Sequence, residues 1–394
     1  MKHFSRIFFI LLIYFLIFFQ FTVKGFSLVD FELWNGLQLN YPAESAVASP
    51  TSRLRAYLNY ITAESNISLH FCLQSLYAPT NTGSTPLLAF PNDVSHISIH
   101  PDNKIVELYS GYASYKLSYF SAFVGMIDPD HFGPDGKGFY QNIFCGNENN
   151  GFLNPGFLRL WANNGIEQYY NKSIPSFFLR FEWNEWRFTA GATFGAALEH
   201  LFVRNTFPFE LEYKTERIHL SISVGLCDAD SSTVHKVSPS YGAIAEWNFI
   251  DRWAFFVRYS TVEPDITTYR TPKNITNADP FRVAKEFNPY CQHFSTGIVF
   301  SRNTIGMGLG YSILQSFNAP LPEHVLEFFL RLRIFDLFEI SPDFQLFINP
   351  GGDNTYGYHW QNAPEYEFLF NPEKDGSPRY VWIAGIRVYY PFSL

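Results

Sequence analysis

Apolar and polar residues alternate with period two through most of this chain, which predicts β-strands with two unlike faces. At 176–183, Phe177, Leu179, Phe181 and Trp183 oppose Arg180 and Glu182. After Asn184 and Glu185 the pattern restarts, with Trp186, Phe188, Ala190 and Ala192 opposing Arg187 and Thr189. A tight hairpin flanked by tryptophans follows from this. Phe207, Phe209, Leu211 and Tyr213 alternate with Glu210, Glu212 and Lys214, and Ile218, Leu220, Ile222 and Val224 with Arg217, His219, Ser221 and Ser223. At 324–335, Leu326, Phe328, Leu330, Leu332 and Ile334 oppose Glu327, Arg331 and Arg333, with Val325 and Phe329 as exceptions.

Extended along the chain, the pattern predicts sixteen strands, near 29–40, 52–63, 66–77, 104–113, 116–127, 176–183, 186–197, 204–214, 217–226, 241–249, 253–261, 292–300, 303–313, 324–335, 340–349 and 379–392. Short links near 64–65, 114–115, 184–185, 215–216, 250–252, 301–302 and 336–339 alternate with long ones. The long ones lie near 41–51, 78–103, 128–175, 198–203, 227–240, 262–291, 314–323 and 350–378. Membrane barrels of the outer-membrane type have short periplasmic turns and longer external loops. The apolar faces are heavy and end in Trp, Tyr or Phe, as membrane barrels place them at their interfaces. The expected fold class is therefore all-β, a transmembrane antiparallel β-barrel of about 16 strands, with both chain ends in the periplasm. A soluble sandwich would have no reason to obey the parity of the links. The last strand puts Tyr380, Trp382, Ala384, Ile386, Val388, Tyr390, Phe392 and Leu394 on one face and Gly385, Arg387 and Ser393 on the other. Such a strand leaves an exposed edge unless it pairs with the first.

Composition narrows the picture. Of 394 residues, 19% are aromatic and only 16% charged, which excludes a disordered chain. Mean hydropathy is −0.07, far below that of a helical membrane protein. Residues 1–27 read as a signal peptide. Lys2, His3 and Arg6 precede an apolar run from Ile7 to Phe19, too short to span a bilayer, and Gly25 and Ser27 offer a small-x-small cleavage site. Loss of Lys2, Arg6 and Lys24 with no acid would take the formal charge from −8 to −11. That balance argues against nucleic acid as a partner. The mature unit, 28–394, is then the barrel. Cys72, Cys145, Cys227 and Cys291 fit no zinc spacing; a loop-tying disulfide and unpaired small apolar residues are both open readings.

The third long link, 128–175, is the longest. A loop of this length in a compact protein is usually functional. It folds into the pore and narrows it on one reading, and caps the exterior on the other. Asp128, Asp130 and Gly133 faintly resemble a calcium loop, but Phe139 stands where the closing Glu belongs. The histidines show no metal spacing, no Ser-His-acid set can be picked out, and Gly306, Gly308 and Gly310 have no helix after them to make a nucleotide loop. The expectation is a chain that is not an enzyme and holds no metal or cofactor.

Several segments resemble the carbohydrate-selective porins of the OprB type. They are Val124-Gly-Met-Ile-Asp128 with Phe132, Asn147-Glu-Asn149, Phe152-Leu-Asn154, Gly308-x-Gly310-Tyr311, Glu327-Phe-Phe329, Ile340-Ser-Pro-Asp-Phe-Gln345 followed by Asn349-Pro-Gly-Gly352, and Ala384-Gly-Ile-Arg387 to Pro391-Phe392. The resemblance covers roughly residues 104–394 in pieces. It implies a sixteen-stranded outer-membrane channel of a Gram-negative-type bacterium that passes sugars down a gradient. No sugar-contacting residue is carried over from the family.

The alternation itself nominates pore-lining residues: Arg53, Arg55, Arg180, Glu182, Arg187, Arg258, Glu327, Arg331, Arg333 and Arg387. Guanidinium forks can donate several hydrogen bonds to sugar hydroxyls. The competing reading of each Arg is an ion pair with an acid on a neighbouring strand. Trp161, Tyr169 and Tyr170 in the long loop are candidates for stacking on sugar rings. The expected partners are small sugars, outer-membrane lipid and the barrel-assembly machinery, with a homotrimer and a monomer both open. Alternatives are a general porin, a barrel enzyme and an adhesin.

Overall fold

The structure is a computed structural model. It describes residues 26–41, 47–61, 66–77, 107–128, 174–194, 203–231, 234–262, 290–316, 321–335, 338–349 and 380–393, together with 132, 133, 138, 139, 144, 145 and 152. Trp161, Tyr169, Tyr170 and residues 1–25 of the expected signal peptide lie outside the described residues.

Sixteen antiparallel strands close into one barrel in which each pairs with its sequence neighbours. They are β1 (Phe26–Tyr41), β2 (Val47–Ile61), β3 (Ile67–Tyr77), β4 (Glu107–Leu117), β5 (Phe120–Ile127), β6 (Ile174–Trp183), β7 (Trp186–Phe194) and β8 (Val203–Lys214), then β9 (Ile218–Ser231), β10 (Val234–Ile250), β11 (Trp253–Val262), β12 (Tyr290–Ser301), β13 (Ile305–Ser316), β14 (Glu323–Ile334), β15 (Phe338–Ile348) and β16 (Tyr380–Ser393). Closure is made by β1 and β16, in register from Asp30 opposite Ser393 to Tyr41 opposite Trp382. The terminal strand thus gains the partner that its apolar face requires, and no edge is left unpaired.

The faces of the wall are inverted relative to a soluble protein. Outward residues are large, apolar and exposed, among them Phe177, Phe181, Phe188, Phe209, Leu211, Leu220, Ile222, Phe255, Leu309, Phe328, Phe344 and Ile386. Inward residues of the same strands are polar and buried, among them Arg180, Thr189, Glu210, Glu212, Ser221, Ser223, Arg258, Glu327, Asp343 and Arg387. Lipid accepts the first set and a polar interior the second. Exposed aromatics gather at both rims. Trp183 and Trp186 flank the 184–185 turn, Trp186 packs on Tyr213 at 4.9 Å, and at the opposite rim Trp382 packs on Phe344 at 5.0 Å. Asn184 enters its turn with φ of 50°, a left-handed conformation that Asn tolerates well.

Two connections differ from the sequence expectation. The turn expected at 114–115 lies at 118–119, because β4 continues to Leu117 and the chain reverses at Ser118, whose φ is 38°. The long link expected over 227–240 is largely strand. β9 runs on to Ser231 and β10 begins at Val234, paired from Ser231 opposite Val234 inward. Its Asp- and Ser-rich sequence and Pro239 read as loop. The reading failed because strand that continues past the apolar band needs no apolar face.

Candidate channel interior and its inserted loop

All ten residues nominated from the alternation lie on the inward-facing positions of their strands. They are Arg53 and Arg55 on β2, Arg180 and Glu182 on β6, Arg187 on β7, Arg258 on β11, Glu327, Arg331 and Arg333 on β14, and Arg387 on β16. They are spread over six strands around the barrel and form no single cluster. Six of them, Arg53, Arg55, Arg180, Arg258, Glu327 and Arg387, are buried within the interior, while Arg333, at the short-turn end, is exposed. The ion-pair reading holds for Arg187, which donates from Nε to Glu212 on β8, and for Arg333, which donates from Nη2 to Glu339 on β15 at 2.6 Å. Others sit over aromatic rings. The Arg55 guanidinium lies 4.5 Å from the Tyr109 ring while its Nε donates to Gln74 at 2.8 Å. The Arg331 guanidinium occupies the space above Gly306, where a Cβ would meet its Nε at 2.9 Å.

The described part of the long loop lies inside the barrel, against the inward face of the wall. Its first footing is aromatic. Phe132 stacks on Phe178 of β6 at 4.8 Å and meets Phe123 of β5 edge-on at 5.1 Å, and Phe139 meets Phe178 at 5.0 Å. The Arg180 guanidinium caps the Phe132 face at 4.7 Å, within cation–π range. The Gly133 amide donates to the Tyr112 hydroxyl at 3.1 Å, and Tyr112 in turn stacks on His70, which is held by Asn59 and Ser114. Beside this footing the Tyr109 hydroxyl donates to Asp128 at 2.7 Å. Asp128 is thereby tied to the wall at β4.

The second footing is on the other side of the interior. Phe152 packs edge-on against Phe256 of β11 at 5.8 Å and Phe329 of β14 at 5.0 Å. Glycine makes room for it: a Cβ at Gly308 of β13 would fall 2.3 Å from Phe329 and 3.1 Å from Phe152. Val325 and Phe329, the exceptions in the alternation of β14, are both buried here in one cluster with Phe152 and Cys145. Nearby, the amides of Phe144 and Cys145 both donate to Glu246 Oε1 of β10 at 3.2 Å. Glu246 Oε2 pairs with His219 Nδ1 of β9 at 2.7 Å, and His219 Nε2 pairs with Glu212 Oε1 at 3.2 Å. Beside them the Ser221 hydroxyl donates to Glu210 at 2.6 Å. Two carboxylates, which only accept, bracket a ring that can donate from both nitrogens. Hydrogen bonds to a charged acceptor of this kind contribute about 1.5–3 kcal/mol each.

Cys145 sits in this footing as a free, buried thiol, and Cys72 on β3 is also buried. Burial, and then the neighbouring Glu246 carboxylate, push the Cys145 thiol well above its ordinary range. Glu246, His219 and the inward-facing phenylalanines were not nominated from sequence. Their signal was the alternation itself, since aromatic residues on the polar face mark where something apolar packs from inside. Among the described residues no group of His, Cys, Asp and Glu is arranged to hold a metal ion.

No family model and no curated protein matches the sequence. Solved structures do match. A loop L8 deletion mutant of OmpT, an outer membrane protein of Vibrio cholerae, aligns with a TM-score of 0.51 at 10% identity, covering 94% of this chain and 100% of that one. A triple mutant of the Rhodopseudomonas blastica porin aligns with a TM-score of 0.49 at 9% identity, covering 93% and 100%. Identity this low speaks to the fold alone: the chain has the fold of an outer-membrane barrel.

Proposed function

We propose that this protein is an outer-membrane porin, a passive diffusion channel for small hydrophilic solutes, and carbohydrates in particular. The observation that carries the reading is the inverted wall of a closed sixteen-stranded barrel, apolar outward and polar inward, with a loop lodged in its interior. Barrels of this strand number enclose an aqueous channel. An exterior cap would not need footings on the interior wall, whereas a loop that narrows a passage does. Sugar preference is supported by the resemblance to carbohydrate-selective porins and by the chemistry inside. The inward guanidinium groups that stay accessible, Arg331 and Arg333 of β14, offer forked donors to sugar hydroxyls. Weak contacts of that kind speed passage, since tight binding would stop release.

The test is single-channel conductance of the purified, refolded protein in a planar bilayer, titrated with mono- and oligosaccharides. Ion conductance with saturable block by a sugar is the expected result. Conductance that no sugar blocks would remove the sugar preference and leave a general porin. A folded barrel without conductance would overturn the channel reading.

A further inference from the structure

The acid network at the second footing does something that the barrel wall does not require. β10 ends at Ile250, so Glu246 lies close to the short-turn end of the barrel. The loop leaves β5 at the opposite end, after Ile127. Phe144 and Cys145 have therefore descended through most of the barrel before their amides meet one carboxylate oxygen. Their side chains enter the apolar cluster of the second footing, and their amides meet a carboxylate beside it. That carboxylate is aimed inward and held from behind by His219, itself held by Glu212. Arg187 on β7 in turn pairs with Glu212. Arg258 of β11 and the Cys145 thiol also face this group.

We propose that Glu246 is the positioning residue of the inserted loop: it latches the 144–145 backbone to the β10 wall and so fixes how far the loop constricts the channel. This rests on the reading of the protein as a channel. The relay Arg187–Glu212–His219–Glu246 spans β7 to β10 and holds the carboxylate in place. One of its oxygens faces His219 and the other accepts from the loop. Replacing that oxygen by an amide nitrogen offers the two N–H groups a donor or a weaker acceptor in place of a charged one.

The test compares the wild-type protein with Glu246→Gln and with Phe144→Pro, the latter read against Phe144→Ala. Proline deletes one of the two amide donors, and alanine removes the same side chain from the apolar cluster while keeping the amide. Three quantities are read on each: single-channel conductance, the thermal midpoint of the barrel, and the alkylation rate of Cys145, followed by mass spectrometry of its peptide. Cys145 is buried beside the latch, and because loss of the Glu246 charge by itself makes its thiol more acidic, faster alkylation counts as opening only where Phe144→Pro, which keeps that charge, shows it too. In Glu246→Gln, and in Phe144→Pro relative to Phe144→Ala, conductance is expected to rise and Cys145 alkylation to become on the order of tenfold faster, as for a segment released to local opening. The thermal midpoint is expected to stay within a few degrees of wild type. Unchanged conductance and unchanged Cys145 alkylation in folded variants would overturn the latch while leaving the channel reading intact. A large fall in midpoint with unchanged Cys145 alkylation would also overturn it, by making Glu246 a brace of the wall. Should Glu246→Gln not fold, Phe144→Pro read against Phe144→Ala decides between these outcomes. Absence of conductance in the wild-type barrel would instead strike the channel reading, with the Cys145 rates still deciding whether Glu246 holds the loop.

Discussion

The loop's two footings are built differently, and the difference shows how a strand-only scaffold holds a non-strand segment in its interior. The first is close in sequence: Phe132 follows the end of β5 by a few residues and packs back on β5 and β6. Little chain entropy is lost in making it, because the segment it closes is short. It is also redundant, since Phe132 and Phe139 both lean on Phe178. The second footing joins residues far apart in sequence, Phe144 and Cys145 with Glu246 and Phe152 with Phe329. It can form only once β10 to β14 are in place. It relies on particular atoms, one carboxylate oxygen and the cleared space over Gly308. The first footing keeps the loop inside; the second decides where it lies.

That contrast makes ordered predictions. The largest effect is expected from Gly308→Val, which puts side-chain atoms where Phe329 and Phe152 now stand. The second footing should be expelled and conductance should rise most among the point variants. Phe152→Ala comes next. Loss of a buried phenylalanine costs about 3–5 kcal/mol, enough to undo this footing, and conductance should again rise, by less because Glu246 still holds 144–145. Phe132→Ala removes the same side chain from the first footing, yet Phe139 still bears on Phe178. Conductance should change clearly less than for Phe152→Ala, and an equal or larger change would erase the distinction between the footings. The smallest effect is expected from Arg180→Lys. The charge stays and only the flat contact with Phe132 weakens, by about 0.5–1 kcal/mol. Proteolysis within the loop should speed up slightly, with conductance unchanged.

How much of this was legible in the sequence depends on the kind of interaction. The hairpin of β6 and β7 was readable residue by residue, because a wall between lipid and a polar interior writes period two into every strand. So was closure, because an apolar terminal strand such as β16 needs a partner. The inward position of all ten nominated residues followed from the same phase. What the period cannot show is which inward residues meet across the interior. Arg187 with Glu212 and Arg333 with Glu339 are neighbours by register and could be foreseen as a class. Glu246 with the loop backbone could not, since its partners are amides without side-chain identity. Val325 and Phe329 carried a readable signal that the alternation rule treats as noise: apolar residues on the polar face are where the loop seats. The extension of β9 and β10 was missed for the complementary reason, since strand outside lipid is free of the pattern.

The central claim is that a loop inserted into a membrane barrel narrows a channel. It is tested most directly by comparing the single-channel conductance of the refolded wild-type protein with that of a variant lacking residues 130–170, both shown to be folded barrels. The account predicts that the wild type conducts and that the deletion conducts several-fold more. Equal conductance in the two, or none in either, would contradict it.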